Sequence, residues 1–282
     1  MMARTMYETL ASLLGLPMCA IPLSYCRVSK PYLLERAGIG EDGTALVFAI
    51  PYLLAADSED PARNLSLYAV PRDYHGYVKA LGEEIIPKLK ESFPDRRFAI
   101  FADHSPIAEV NAAARAGLGV LGDNGLLLTP DYGSFVFLAE ICTDADYETI
   151  TGHPVPAIPS EPPRCEGCGA CRAACPVSGG KSPCLSALTQ KKGGLSVEEA
   201  DALRAHDLVW GCDTCQLICP RNRAVIAAGH DTPVPYFRDG RVSTVTAESV
   251  AAMSDPDFAS RAFAWRGRAV ILRNLKLKEE AP

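Results

Sequence analysis

No stretch of this 282-residue chain is long and apolar enough to cross a bilayer. The longest apolar run, residues 44–56, is broken by Pro51. It falls short of the ~20 residues that a spanning helix needs. The opening residues, MMARTMYETL, hold no apolar signal core and no twin-arginine pair. A cytoplasmic, reducing setting with no membrane partner is therefore expected. Positive charge is also in short supply: 28 Lys and Arg stand against 34 Asp and Glu, for a net charge of −6. That balance excludes recruitment of a nucleic acid by bulk charge and leaves only a local basic patch to do so. The composition of a disordered chain is missing too, since 48% of residues are hydrophobic and 22% charged. The length suits one large or two modest domains. No internal repeat is visible, apart from an approximate echo between two cysteine motifs. What remains is cysteine: eleven residues, too sparse for a disulfide scaffold and more than an ordinary enzyme of a reducing compartment needs.

The pattern along the chain predicts an α/β or α+β first half. Residues 4–15 carry Met6, Leu10, Leu13 and Leu14 at helical spacing. Residues 44–52 (TALVFAIPY) and 97–102 (RFAIFA) read as buried strands, the second ending at Asp103. Residues 73–93 read as a helix with one apolar face. An Ala-rich helix over 107–116 is stopped by Gly117. Two further strands are expected at 125–128 and 134–141. Residues 151–163 hold five prolines and read as an extended connector. The expected organisation is a domain over 1–150, that connector, a cysteine module over 164–224, and a helical tail over 225–282 packing on the first domain. Within the module, Ser196 and Glu199 form a capping-box pattern for a helix over 196–205.

Eight of the cysteines crowd into residues 165–219. Cys165-x2-Cys168-x2-Cys171-x3-Cys175-Pro176 is the run by which bacterial two-cluster ferredoxins bind iron and sulfur. Two-residue spacings let a tight loop wrap three thiolates around one cubane. The fourth cysteine, followed by proline, starts a helix and reaches the other cluster. The second motif, Cys212-x2-Cys215-x3-Cys219-Pro220, lacks one nearby ligand, which Cys184 supplies. The spacing thus assigns Cys165, Cys168, Cys171 and Cys219 to one [4Fe-4S] cluster. It assigns Cys175, Cys184, Cys212 and Cys215 to the other. Zinc is the alternative for any CxxC pair. Cys19, Cys26 and Cys142 are isolated and read as small core residues. Two clusters pass single electrons, so the first domain must carry either a docking surface or a second cofactor.

Residues 101–144, FADHSPIAEVNAAARAGLGVLGDNGLLLTPDYGSFVFLAEICTD, resemble the core of the epoxyqueuosine reductase family. The shared features are an Asp-x-x-Pro turn, the string AARAGLG, a glycine loop with Asn, and a GS-F-FL-EI-TD segment. Arg72-Asp73-Tyr74-His75, the segment after Cys184, the string WGCDTCQLICPRN over 210–222 and Arg273-Asn274 extend the likeness over about residues 44–278. The family is related to reductive dehalogenases. The resemblance implies a nitroreductase-like domain binding cobalamin, followed by a bacterial-ferredoxin-like double [4Fe-4S] module. It implies reduction of epoxyqueuosine to queuosine in tRNA, with Asp103 giving the proton. Partial burial at the end of a strand would raise the pKa of that carboxyl; on the residues alone Asp103 reads instead as a cap for the following helix. The resemblance also implies corrinoid contacts from His75, which is not a cobalt ligand, and from Gly117, Gly119, Gly122, Asn124, Gly133, Ser134 and Phe135. It implies a monomer fed by an external flavodoxin or ferredoxin system. The resemblance implies a short member that stops before the helical repeat of longer ones.

Two positions depart from the family pattern. Val110 stands where a cation follows the Glu, and Asp123 where the glycine loop carries Lys. The basic stretch from Arg261 to Lys278 is the remaining candidate for phosphate contact. Two other functions fit the cysteines: a two-cluster electron carrier or activator of a corrinoid protein, and a paralogous corrinoid reductase with a different small substrate.

Overall fold

The computed structural model describes residues 4–177 and 184–279. The fold is mixed α/β and divides into two compact units. The first comprises Met1–Ile50 and His75–Gly167, and the second Pro51–Tyr74 and Cys168–Pro282. This differs from the division expected along the sequence, because residues 51–74 leave the first domain and join the cysteine-bearing unit. The reason lies in Leu65, Ala69 and Val70, which pack into the apolar core around Trp210 and Phe263. The tail was expected to pack on the first domain. Its observed core partners, Val245, Val250, Ile271 and Leu275, belong to that same second-unit cluster.

Six strands are described in the first unit: β1 (Met18–Pro22), β2 (Thr44–Pro51), β3 (Phe98–Phe101), β4 (Val120–Leu121), β5 (Leu127–Leu128) and β6 (Val136–Thr143). Four of them form one sheet in the order β1-β2-β6-β3, with β1 antiparallel to β2 and β3 antiparallel to β6. The other two make a small hairpin. Every residue of β2 is buried, so both faces of the sheet are covered. Side chains alternate along a strand. Ala45, Val47 and Ala49 accordingly share a face with Cys142 of β6, under Ala112, Ala113 and Ala114 of the Glu109–Arg115 helix. Alanines let that helix lie close on the sheet. Glu140 has the parity of Cys142, so this apolar face holds a carboxyl group.

On β3 the same economy appears at Gly82 of the Tyr74–Ser92 helix, where a Cβ would meet Ile100 at 2.6 Å. The N-terminal helix, Met6–Leu14, has a complete capping box from Thr5 and Glu8. The capping box expected at Ser196 and Glu199 is present on the Val197–Arg204 helix. Among the described residues no helix is long and apolar enough to cross a membrane.

Candidate functional site

In the first unit, β3 stops at Phe101 and the chain turns sharply. His104 N–H donates to the Ala102 carbonyl at 2.6 Å, closing a γ-turn with Asp103 at its centre. Asp103 has φ of +58° and is the single non-glycine residue with positive φ among those described. Such a conformation costs about 1–3 kcal/mol and persists only where neighbours hold it. The turn throws the Asp103 side chain outward, where it is 78% exposed. The expected partial burial is therefore corrected: the strand ends before it can bury this residue. Asp103 does not cap the next helix either, since that position belongs to Ala108, which makes no side-chain cap. His75 Nε2 lies 3.9 Å from Asp103 Oδ2, so the turn and the start of the Tyr74–Ser92 helix present an acid and an imidazole together.

Below this turn the backbone is held on two sides. Ser29 and Lys30 N–H groups both donate to the Pro106 carbonyl, and Ala108 N–H donates to Arg27. Ser105 Oγ accepts from Ile107 N–H at 3.1 Å and donates to the buried Glu140 carboxyl. Glu109 and Glu140 lie close enough to influence each other's ionisation, and Glu109 Oε1 and Glu140 Oε2 are buried with no hydrogen-bond partner among the described residues. Burial raises the Glu109 carboxyl to about 6 and raises Glu140 well above the ordinary carboxylate range. The motif reading passed over these two acids.

The other residues expected to face a corrinoid do not form one surface. A Cβ on Gly119 would lie 2.5 Å from the Leu128 carbonyl, and one on Gly122 would lie 2.5 Å from Asn124 Oδ1. Both glycines thus serve close approach inside their own hairpin. Asn124 Oδ1 accepts Leu126 N–H, shaping the same turn. Gly117 and Gly133 have positive φ. Phe135 and Ser134 are 0% and 4% exposed and offer no surface in this conformation. A cleft of 850 Å³ is lined by Tyr7, Cys19, Arg115, Gly117, Asp131 and Tyr147 among others; of the expected set it includes Gly117 but not His75 or Asp103. The hairpin therefore supplies no corrinoid cradle by its shape.

Seven of the eight module cysteines lie in the second unit and Cys165 near the end of the first, and none of the eight is buried. The helix carrying Cys171, Ala170–Ala174, packs on the helix carrying Cys215, Thr214–Leu217. Cys184 and Cys212 lie close enough to interact electrostatically, although far apart in sequence. Cys175 and Cys219 each end a turn at a Cys-Pro step, and Cys219 opens the Pro220–Ala227 helix. Thiols that are exposed or partly exposed in these two segments fit a multi-iron donor set. No three His, Cys, Asp or Glu side chains among the described residues converge as a single ion requires. By contrast Cys19 and Cys142 are buried, and burial raises Cys19 and Cys26 to about 12, which keeps those thiols protonated.

Buried polar residues fix the loops that bear the cysteines. Asp213, between Cys212 and Cys215, is 1% exposed. Arg63 Nη1 meets it at 2.7 Å, Leu67 N–H donates to it at 3.0 Å, and Ser66 Oγ donates as well. Gly211 has φ of +76°, and a Cβ there would lie 2.3 Å from Ser66 Cβ. Asn274 Nδ2 donates to the Thr189 and Val209 carbonyls at 2.7 and 2.9 Å, and Arg273 Nη1 donates to Lys191 and Gly193. The Arg-Asn pair thus ties the segment after Cys184 to the strand-like approach to Cys212.

No protein-family model matches the chain. An epoxyqueuosine reductase of Listeria monocytogenes is 35% identical over 216 residues, covering 72% of this chain and 53% of that protein. One of Gloeobacter violaceus is 32% identical over 225 residues, covering 76% of this chain and 68% of its own length. The chain belongs to the epoxyqueuosine reductase family. It spans between about half and two-thirds of the length of these relatives, 53% and 68%. The fold is that of solved epoxyqueuosine reductases. The Streptococcus thermophilus structure superposes with a TM-score of 0.70 at 20% identity, over 96% of this chain and 79% of that one. A structure described with an epoxyqueuosine-modified tRNA-Tyr stem loop gives 0.67 at 22% identity, over 97% and 81%.

Proposed function

We propose that this protein is an iron–sulfur and cobalamin-dependent oxidoreductase that reduces epoxyqueuosine to queuosine in tRNA. The observation that carries the reading is the pairing, in one family member, of an exposed acid on a sharp turn with two cysteine-bearing segments in which none of the eight thiols is buried. Cys165, Cys168, Cys171 and Cys219 hold one [4Fe-4S] cluster, and Cys175, Cys184, Cys212 and Cys215 the other, in a bacterial-ferredoxin-like module. The first unit is a nitroreductase-like domain. Family membership implies a cobalamin, which would supply a strongly reducing metal centre, and an external flavodoxin or ferredoxin system would be the electron source.

The chain's own groups do the rest. Removing an epoxide oxygen as water takes two electrons and two protons. Asp103 stands exposed to give a proton to the departing oxygen. His75, at 3.9 Å, orients that carboxyl or returns its proton. Thiols that must stay reduced to bind iron suit a cytoplasmic setting, and the protein acts as a monomer. Complementation of a strain that accumulates epoxyqueuosine, read by nucleoside mass spectrometry, tests the reading. Restored queuosine is expected; persistent epoxyqueuosine with both clusters loaded overturns it. The second reading, a corrinoid reductase for a smaller substrate, is favoured by Val110 and Asp123 in place of cations and by the internal use of the tail arginines.

A further inference from the structure

Two arginine–aromatic stacks lie close together along the second unit's tail, and they differ in what they serve. In one, the Arg268 guanidinium lies 4.2 Å from the centre of the Phe258 ring. Phe258 is 8% exposed, and Arg268 donates to the Val250 and Met253 carbonyls and meets Asp255 at 3.1 Å. Ring and cation are both used inside the fold. In the other, the Arg266 guanidinium lies 3.5 Å from the centre of the Trp265 ring. Trp265 is 58% exposed, and no other Phe, Tyr or Trp among the described residues is as open. Arg266 makes no hydrogen bond or ion pair with any described residue, and its Nε is covered without an acceptor. The fold gains little from this second stack, since the largest apolar ring is left in water and the cation ties nothing down.

The ring is nevertheless held in place. Phe263, two residues earlier, is fully buried and meets Trp210 edge-on at 6.2 Å. Ala264 N–H donates to the Arg261 carbonyl at 2.9 Å, and Gly267 N–H to the Ala264 carbonyl at 2.8 Å, closing the Ala264–Arg266 turn. The start of the same segment is bonded to the stretch that leads into His75. Asp73 N–H donates to the Ser260 carbonyl at 2.8 Å, and Arg72 bridges Arg261 in antiparallel fashion.

A flat ring backed by a guanidinium accepts another flat π-face, because the cation draws electron density toward itself and leaves the open face ready to stack. The uncompensated charge selects a ligand that is also anionic, and the sequence holds no acid from residue 258 to 278 to oppose it. An unpaired nucleotide carries both a π-face and a phosphate; a base pair inside a duplex hides its faces. We propose that Trp265, backed by Arg266, is a stacking platform for an unpaired base of a single-stranded RNA loop. This deepens the reading of the protein as a tRNA-modifying enzyme and rests on it for the identity of the RNA. The competing occupant of a basic, aromatic patch is an acidic electron-donor protein, which offers carboxylates but no stack of free bases.

The chain has two tryptophans, and Trp210 is fully buried, so a change in tryptophan emission on adding RNA reports Trp265. In the cluster-loaded full chain, an unmodified stem loop of tRNA-Tyr is expected to quench that emission, and a fully paired RNA of the same length is not. Trp265→Ala should melt with the wild type, because the ring is exposed, yet bind the stem loop about 5–150-fold more weakly in a filter assay, the worth of one stacked base. Trp265→Phe should recover part of that loss. Both variants should keep the wild-type salt slope, since stacking releases no counterion. Wild-type affinity in folded Trp265→Ala, equal quenching by the paired RNA, or no stem-loop binding by the wild type overturns the platform. So does a Trp265→Ala variant that weakens binding of an oxidised flavodoxin and not of the stem loop. The functional reading is decided separately, by queuosine formation. Stem-loop binding with Trp265 quenching but no reduction of epoxyqueuosine sinks that reading and leaves the platform standing, whereas queuosine formation with full affinity in Trp265→Ala does the reverse.

Discussion

Asp103 was visible in the sequence because its motif is local, four residues from Asp to Pro. Its setting was not. The strand before it predicts burial, whereas a γ-turn exposes it, and no rule of periodicity foretells a positive φ at Asp. Because the side chain is exposed, Asp103→Asn should leave the melting temperature unchanged while lowering single-turnover reduction by about 10²–10⁴-fold, the usual worth of a placed acid. Normal turnover by the folded variant would remove Asp103 from the mechanism. The acids beneath it were hidden for a different reason: Glu109 and Glu140 meet only through the packing of a helix on a sheet. Their folded pKa values lie above that of an ordinary glutamate, with Glu109 at about 6. The native state therefore holds more protons than the unfolded chain from about pH 4.5 upward through the folded values. Linkage then makes unfolding free energy fall as pH rises across that window. Urea unfolding should show a loss of about 1–2 kcal/mol between pH 5 and pH 8, and Glu140→Gln should flatten it.

Elements built on periodic apolar residues were legible, and those built on long-range polar contacts were not. The fully buried run of β2, the Tyr74–Ser92 helix and the capped Val197–Arg204 helix follow from local pattern. Strand β1 carries Pro22 at its end and escaped notice; it is an edge strand, where proline is tolerated. The cysteine spacing named the ligands but not what holds their loops. Asp213 is the clearest case, an acid buried inside a Cys-x2-Cys segment with Arg63 as its ion pair. Breaking a buried pair leaves an uncompensated charge, so Asp213→Ala should destabilise the loaded protein by about 3–5 kcal/mol. Asn274→Ala removes two buried hydrogen bonds to Thr189 and Val209 and should cost about 2 kcal/mol. Equilibrium unfolding with iron content measured alongside checks both, and either variant matching the wild type in both respects would show that the loops stand without these ties.

At the scale of the molecule, the basic tail takes on a different meaning. Read as sequence, residues 261–278 look like a surface for phosphates. In the structure Arg261 donates to Gly240, Arg268 to Val250 and Met253, Arg273 to Lys191 and Gly193, and Lys278 to Leu203 and Arg204. All of these acceptors are main-chain carbonyls, so the cations tie the second unit together. Each phosphate contact adds about 0.7–0.9 to the slope of log affinity against log salt. Arg273→Gln should therefore lower stability yet leave the salt slope of stem-loop binding unchanged; a slope smaller by about one contact would return the tail to the RNA interface.

Seven of the eight module cysteines share that unit, and their placement bears on how they act together. Cys184 and Cys212 interact across a long stretch of chain, and Cys171 and Cys215 ride on packed helices. In the proposed assignment each cluster draws ligands from both cysteine segments, so neither segment is expected to load a cluster alone. Anaerobic reconstitution should give about eight irons per chain, and Cys184→Ala should retain about four, with the remaining cluster intact by electron paramagnetic resonance. Cys142→Ala should keep the wild-type iron content, because burial holds that thiol protonated in the sheet. Loss of all iron in Cys184→Ala would mean that the clusters fold only as a pair. Retention of all eight would strike Cys184 from the ligands and leave its approach to Cys212 without a role.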